Sequence, residues 1–342
     1  MQKKLQAFVE PYQLNFSFNA KTSRGEIKKR EILLLEISDN FGRTGVGEIA
    51  PLEGLSKELD LDFEEKVNEV VENIEYFLNN LDLLIDYPSI VFGIESAWMN
   101  YKNSQGMFYK TNFTSNSVGI PINALVWMDD FEGMKAQIDK ILAENPKCIK
   151  LKIGGIDWES ELELIQYIRN KTIDNSLDIR LDANGAFSYD EAILKLNQLL
   201  PFNIHSIEQP LAKNNNKYEL LCDQNIIPIA LDEELIGVNS YKDKYKLLKD
   251  IQPQFIVLKP SLHGGLRGCE EWIFLARQLQ IGWWVTSALE SNLGLSAIAQ
   301  WCSQYPECYQ FPQGLGTGNL YSNNLPAKHI IKNYELYFTN IQ

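Results

Sequence analysis

The run Cys148-Ile149-Lys150-Leu151-Lys152-Ile153-Gly154-Gly155 decides how the rest of this 342-residue chain is read. Extended backbone turns successive side chains to opposite faces, so Lys150 and Lys152 share one face while Ile149, Leu151 and Ile153 share the other. An exposed edge strand would also carry such a pattern. Here, however, the flanking residues are apolar and a glycine pair ends the run, so in a closed barrel the lysine face is the interior. Two ammonium groups held that close disfavour each other's charge, which is expected to depress a lysine pKa toward that of a useful base.

Outward from this run, short apolar segments alternate with amphipathic helical patterns. Strands are predicted at residues 122–127, 148–153, 179–182, 204–208, 227–232, 255–259, 282–287 and 309–314. Their end residues recur at similar intervals: 30 positions from Lys152 to Asp182, then 26 to Glu208, 24 to Asp232, 27 to Lys259 and 28 to Ser287. Such alternation implies a parallel sheet. Polar residues at nearly every strand end favour a closed (β/α)-barrel, because an open doubly wound sheet would gather them at one switch point. The first hundred residues read differently. A hairpin at 32–37 and 46–50 turns through Asp39, Asn40 and Gly42. A helical pattern over 58–84 then sets Leu59, Leu61, Phe63, Val67, Val70 and Val71 in an apolar stripe. The pattern changes near residues 112–118. The expected architecture is an α+β domain over 1–115 and a barrel over 116–317, with the tail 318–342 packing back on the first domain.

Hydrophobic content of 45% and charged content of 23% suit a soluble globular protein. A net charge of -13 argues against nucleic acid or an anionic membrane as partner, and means that an anionic substrate needs local positive charge. No stretch reaches the ~18 uninterrupted apolar residues of a membrane span. Met1-Gln2-Lys3-Lys4-Leu5 has no long apolar run behind it, so no secretory signal is expected. The five cysteines are scattered without a Cys-x-x-Cys pair and read as free buried thiols in a reducing cytoplasm.

Three carboxylates close successive strands: Asp182 in Arg180-Leu181-Asp182-Ala183-Asn184, Glu208 in Ser206-Ile207-Glu208-Gln209-Pro210, and Asp232 in Ala230-Leu231-Asp232-Glu233-Glu234. Singly, each reads as an N-cap or a solvated turn residue. Together they converge on the barrel mouth, where they would repel one another unless a cation joined them. Oxygen donors without nearby His or Cys call for a hard ion, Mg2+ or Mn2+. Lys259, in Val257-Leu258-Lys259-Pro260-Ser261, ends the next strand, so a metal-bound substrate carboxylate would have Lys152 on one face and Lys259 on the other. Downstream, Ser287-Ala288-Leu289-Glu290-Ser291-Asn292-Leu293-Gly294 reads as a strand end entering a capped helix whose amides suit an anionic group. Gly314, Gly316 and Gly318 suit close backbone approach to a substrate carboxylate. His205, His263 and His329 read as structural or surface residues, and Trp283 and Trp284 as packing.

This set resembles the enolase superfamily, in the subgroup typified by muconate lactonizing enzyme. Arg180-Leu181-Asp182-Ala183-Asn184, Ala230-Leu231-Asp232-Glu233, Leu258-Lys259-Pro260-Ser261, Gly47-Glu48-Ile49-Ala50-Pro51-Leu52 and the 287–294 run look most like the o-succinylbenzoate synthase family of menaquinone biosynthesis. The resemblance implies an enolase-type modified barrel with an N-terminal α+β capping domain, whose loops Thr22-Ser23-Arg24-Gly25 and Leu52-Glu53-Gly54-Leu55-Ser56 help enclose a small carboxylate substrate. It also implies catalytic Lys152 and Lys259, metal ligands Asp182, Glu208 and Asp232, and substrate contacts from Lys150, Arg180, Asn184, Ser287 and Gly314. The implied reaction is loss of water from 2-succinyl-6-hydroxy-2,4-cyclohexadiene-1-carboxylate. The alternative is a dipeptide epimerase or N-acylamino acid racemase using the same two lysines. Dipeptide epimerases of this kind usually carry Asp-x-Asp after the last strand, and no acidic residue lies between Phe311 and Leu320.

Overall fold

The computed structural model describes residues 4–22, 25–103, 106–172 and 176–339. The predicted hairpin forms the pair β2 (Gly25–Asp39) and β3 (Thr44–Ile49), with β1 (Leu5–Thr22) alongside β2 in an antiparallel sheet of order β1-β2-β3. Strand β1 lies outside the predicted elements, although Tyr12, Leu14, Phe16, Phe18 and Ala20 alternate with polar residues at the two-residue period of a strand. Its register is set by pairing with β2 from Leu5↔Asp39 to Thr22↔Gly25.

The helical pattern over 58–84 breaks into α1 (Phe63–Glu72) and α2 (Ile74–Asn79). Asn73 and Asn80 follow these helices, and their amides donate back to the Glu69 and Tyr76 carbonyls at 3.0 and 2.8 Å. Such local bonds compete with helix continuation. Leu59 and Leu61 lie outside the stripe they were expected to join, 40% and 49% exposed. Helix α3 (Pro88–Lys102), also unanticipated, is buried along most of its length and packs directly on β3. A Cβ on Gly47 would sit 2.2 Å from the Gly93 carbonyl oxygen, so this close approach requires glycine in the strand.

After β4 (Ile120–Pro121), seven parallel strands follow in sequence order: β5 (Ala124–Val126), β6 (Cys148–Lys152), β7 (Asp178–Asp182), β8 (Ser206–Glu208), β9 (Ile229–Leu231), β10 (Phe255–Leu258) and β11 (Gly282–Val285). The connecting helices are α4 (Phe131–Ala143), α5 (Trp158–Lys171), α6 (Tyr189–Leu199), α7 (Tyr218–Gln224), α8 (Tyr241–Ile251) and α9 (Gly265–Gln278), with α10 (Asn292–Cys302) after β11. Ile149 and Leu151 of β6 belong to the core shared with the outer helices, which turns Lys150 and Lys152 inward. Because β6 lies between β5 and β7, the edge-strand explanation of the two lysines is excluded.

The eighth strand is shorter than predicted. Tyr309 and Gln310 belong to α11 (Glu307–Gln310), and only Gln313 and Gly314 act as strand, bridging Ile122 and Thr286. That suffices to close the ring: Asn123 N donates to Gln313 O at 3.0 Å and Gly314 N to Val285 O at 2.8 Å. The tail then divides. Leu320 accepts from Ser17 N of β1 at 2.8 Å, whereas β12 (His329–Lys332) and β13 (Glu335–Phe338) join β4 in a separate sheet. All five cysteines are free and buried. Among the described residues no helix is long and apolar enough to cross a membrane.

The N-terminal unit is held on the barrel mouth by two carboxylates. Glu48 of β3 accepts from Ser291 N and Gly294 N at 2.9 and 3.0 Å, at the start of α10. Glu95 of α3 accepts from Leu266 N and Arg267 N at 2.6 and 3.2 Å, at the start of α9. The anion predicted for the amides of 291–294 is therefore Glu48 of the protein itself. Both contacts use the positive end of a helix, though burial disfavours the charge. Burial outweighs the two N–H bonds at Glu95 and pushes its carboxyl up to about 8. A raised carboxyl contributes stability that is complete below its unfolded value and is lost as pH climbs through the folded one. Melting temperature is therefore expected to fall between about pH 5 and pH 8, and to fall less in Glu95→Gln. A variant slope as steep as that of the wild type in a pH series of thermal melts would refute this.

Candidate active site

Strand register sets the row of charged side chains. Lys152 pairs with Asp182 and Asp182 with Glu208 across β6, β7 and β8, while Glu208 pairs with Ala230 of β9. Asp232 lies two residues beyond Ala230 and so on the same inward face. Asp182, Glu208 and Asp232 are each no more than 2% exposed. Lys259 directly follows β10 and forms an ion pair with Asp232.

Lys150 stands between two acids, 2.9 Å from Asp182 Oδ2 and 2.8 and 2.7 Å from the Glu208 oxygens. Lys152 meets one acid, Asp182 Oδ2 at 3.0 Å, and one neutral acceptor, Asn184 Oδ1 at 2.8 Å. Asn184 in turn donates to Glu233 Oε1 at 3.1 Å. Glu233 was not among the predicted site residues, although its place directly after Asp232 was a usable signal.

The electrostatics correct one expectation. Burial lowers the pKa of Lys150, but Asp182, Glu208 and Asp232 more than offset it, so Lys150 is raised rather than depressed. Lys259 is likewise raised: burial opposes its charge and Asp232 prevails. Burial also disfavours the Asp182 and Asp232 charges, yet the lysines hold both below the usual carboxylate range. Glu208 goes the other way, pushed up to about 8, because burial and the Asp182 charge outweigh its bonds from Lys150.

The donor chemistry fits a hard divalent cation: three buried carboxylates with oxygen donors only, and Asp232 Oδ1 without a hydrogen-bond partner. In the arrangement described, ammonium groups stand among these acids. Among the described residues no three His, Cys, Asp or Glu side chains are grouped tightly enough to ligate an ion. With Glu233, four acidic side chains at this level face three ammonium groups, so the lysines leave little spare positive charge for an anionic substrate.

A cavity of about 1450 Å³ lies over this row. Lys150, Lys152, Asp182, Asn184 and Lys259 form its floor, and Ser287 and Gly314 part of its wall. The Ser287 hydroxyl is committed, donating to Glu290 Oε2 at 2.6 Å and accepting from Leu289 N at 3.0 Å. Gly314 is required by another neighbour than a substrate, since a Cβ there would lie 2.1 Å from Thr286 Oγ1. Leu52, Glu53, Gly54 and Leu55 of the N-terminal unit line the opposite side, as does Gly25. Ser23 and Arg24 of the other predicted loop lie outside the described residues.

Arg180 is not on the wall. It lies one layer below Asp182, 1% exposed, with its guanidinium 4.0 Å over the Trp284 ring and Nη1 donating to Pro312 O at 2.7 Å. The histidines also stay off the cavity wall. His205 stacks on Phe255, with burial lowering it to about 4, and His263 Nδ1 accepts from Lys259 N at 3.0 Å behind the strand end.

Comparison with known proteins accords with this architecture. The model described as "Enolase C-terminal domain-like" matches residues 133–334, and that described as "MenC, N-terminal domain" matches residues 6–101. The o-succinylbenzoate synthase of Desulfotalea psychrophila is 39% identical over 92% of this chain and 94% of its own. The crystal structure of MenC from the same organism superposes with a TM-score of 0.83 at 33% identity, covering 97% of this chain and 99% of that one. The L-Ala-D/L-Glu epimerase of Bacillus subtilis shares the fold, with a TM-score of 0.82 at 17% identity over 97% of this chain and 95% of its own. The chain belongs to the enolase superfamily and, within it, to the o-succinylbenzoate synthase family.

Proposed function

We propose that this cavity converts 2-succinyl-6-hydroxy-2,4-cyclohexadiene-1-carboxylate to o-succinylbenzoate, a hydro-lyase step of menaquinone biosynthesis carried out in the cytoplasm. The observation that carries this reading is the meeting of Lys152 and Lys259 in one cavity, on either side of the buried acids Asp182, Glu208 and Asp232. In this reading residues 116–317 form the catalytic barrel and residues 1–115 the cap, with the start of the tail folding back onto the cap and its strands β12 and β13 pairing with β4 of the barrel unit. The hydrogen bond of Leu320 with β1 supports this place for the start of the tail.

Asp182, Glu208 and Asp232 would hold Mg2+, with Mn2+ as a possible substitute, supplying positive charge beside the substrate carboxylate oxygens. Lys152 is the better base of the two β6 lysines, because Lys150 is pinned by two carboxylates and Lys152 by only one. In its neutral form Lys152 takes the proton from the carbon bearing the carboxylate. The C–H electron pair moves toward the carboxylate, and the Lys259 ammonium group offsets the charge that develops there. As this charge returns, the bond to the ring hydroxyl breaks. Lys152 hands its proton to the departing oxygen, water leaves, and the ring becomes aromatic. Lys150 and Asn184 orient Lys152 and the carboxylate, while the loop at 52–55 excludes water. The lack of an acid between Phe311 and Leu320 leaves the dipeptide epimerase alternative without a partner for a substrate ammonium group.

Lys152→Ala is expected to lose at least about 10²-fold in kcat, measured as the rise in aromatic absorbance. Retention of more than roughly 1% of activity would remove Lys152 from the role of base. Calorimetric titration of the folded protein with Mg2+ or Mn2+ should show one site, weakened at least about tenfold by Asp232→Asn. Equal binding by variant and wild type would exclude Asp232 as a ligand. In D2O the substrate should lose water; exchange of the α-hydrogen with the hydroxyl retained would favour the epimerase reading instead.

A further inference from the structure

Leu289 lines the cavity and adopts φ +66°, a left-handed conformation that a residue with a bulky side chain rarely takes. Strain of this kind persists only where the surroundings impose it, and it gathers at binding sites. Within its own segment Leu289 N donates to Ser287 Oγ at 3.0 Å, and two groups from outside the segment hold its carbonyl. The Leu289 carbonyl accepts from Tyr321 Oη at 2.7 Å and from Arg30 Nε at 3.3 Å. Leu289 is a barrel residue, yet it packs on Leu14, Ile32 and Ala50 of the cap and on Leu320 and Tyr321 of the tail.

Arg30, from β2 of the cap, is 5% exposed. Besides Leu289, its guanidinium donates to the carbonyls of Ala288 at 3.4 Å, Ala50 at 2.7 Å and Pro51. A buried guanidinium normally faces a carboxylate. This one instead reaches four main-chain carbonyls, two from each unit, with Glu290 and Glu48 acting at longer range. The Ala50 and Pro51 carbonyls lead directly into the cap loop at 52–55, whose Leu52 and Leu55 pack against Ala288. Arg30 therefore lines the cavity at the seam where cap and barrel meet, and its planar fork sets their relative position. A lysine ammonium could not span the four acceptors in that geometry.

We propose that Arg30 is a positioning residue for the dehydration: it locks the cap loop at 51–55 to the barrel segment at 287–289 and holds Leu289 strained at the cavity wall, so that the substrate meets a preformed surface. This rests on the cavity being the site of that reaction, which wild-type turnover in the same assay checks separately. An inactive wild type overturns both.

The test is steady-state dehydration kinetics with thermal melts on Arg30→Lys, Tyr321→Phe, Leu289→Gly and the double variant Arg30→Lys/Leu289→Gly. Arg30→Lys is expected to raise KM about tenfold with kcat changed less than about threefold, since the reacting groups are untouched. Tyr321→Phe, which removes one hydrogen bond to Leu289, should raise KM by about two- to fourfold, and it decides the matter if Arg30→Lys does not fold. Leu289→Gly relieves the backbone strain and should raise KM without a large loss in Tm. The double variant should be no worse than about twofold beyond the poorer single one, because both changes release the same segment. KM within twofold of wild type in both Arg30→Lys and Tyr321→Phe, or activity losses that only track Tm, would overturn the proposal and leave Arg30 a structural residue.

Discussion

Three buried carboxylates at the ends of adjacent parallel strands are the constraint around which this molecule is organised. Strand spacing holds neighbouring acids roughly 5 Å apart, where two like charges repel by about 3 kcal/mol at an effective dielectric near 20. The fold offsets this with ammonium groups from the same barrel: Lys150 and Lys152 on β6 and Lys259 after β10. The lysines are therefore part of the stability of the strand ends as well as candidates for chemistry. The raised pKa of Lys150 and Lys259 and the lowered pKa of Asp182 and Asp232 express that mutual dependence. Added positive charge at the acids would compete for the oxygens that now hold the ammonium groups, and would free a lysine to act as a base.

A charge cluster of this kind needs a dry surround, because water would screen both the repulsion and the attraction. The N-terminal unit covers part of the mouth and lines one side of the cavity over the cluster. Glu48 and Glu95 dock that unit on the helices that follow β11 and β10, whose strand ends carry Ser287 and Lys259. The contacts that keep the cap in place thus lie four residues beyond Ser287 and seven beyond Lys259, close in the chain to the cavity. Docking and site geometry are mechanically linked, and Arg30 adds a third tie on the same side.

Much of this was legible from local pattern. Alternation of two placed Lys150 and Lys152 on one face, and the regular interval between strand ends put Asp182, Glu208, Asp232 and Lys259 round a single mouth. Features that rest on distant partners were not legible. Strand β1 shows a two-residue alternation from Tyr12 to Ala20, but its length and register are set by β2. Helix α3 is too uniformly buried for an amphipathic signal to mark it. The depth of Arg180 follows from Trp284 and Pro312, more than a hundred residues downstream. Glu233 was passed over because one residue beyond a ligand candidate reads as turn, although Asn184 makes it part of the lysine's surroundings.

The amino-acid sequence by itself determined which side chains share a face, since that depends only on the two-residue repeat of a strand and the spacing of strand ends. The sign of the lysine pKa shifts, the anion that fills the start of α10 and the reduction of the eighth strand to Gln313 and Gly314 were decided by tertiary structure. Each depends on which charges and donors are brought together across the barrel or across the cap interface. Glu48 and Ser291 are 243 positions apart, and no local repeat encodes a contact of that kind.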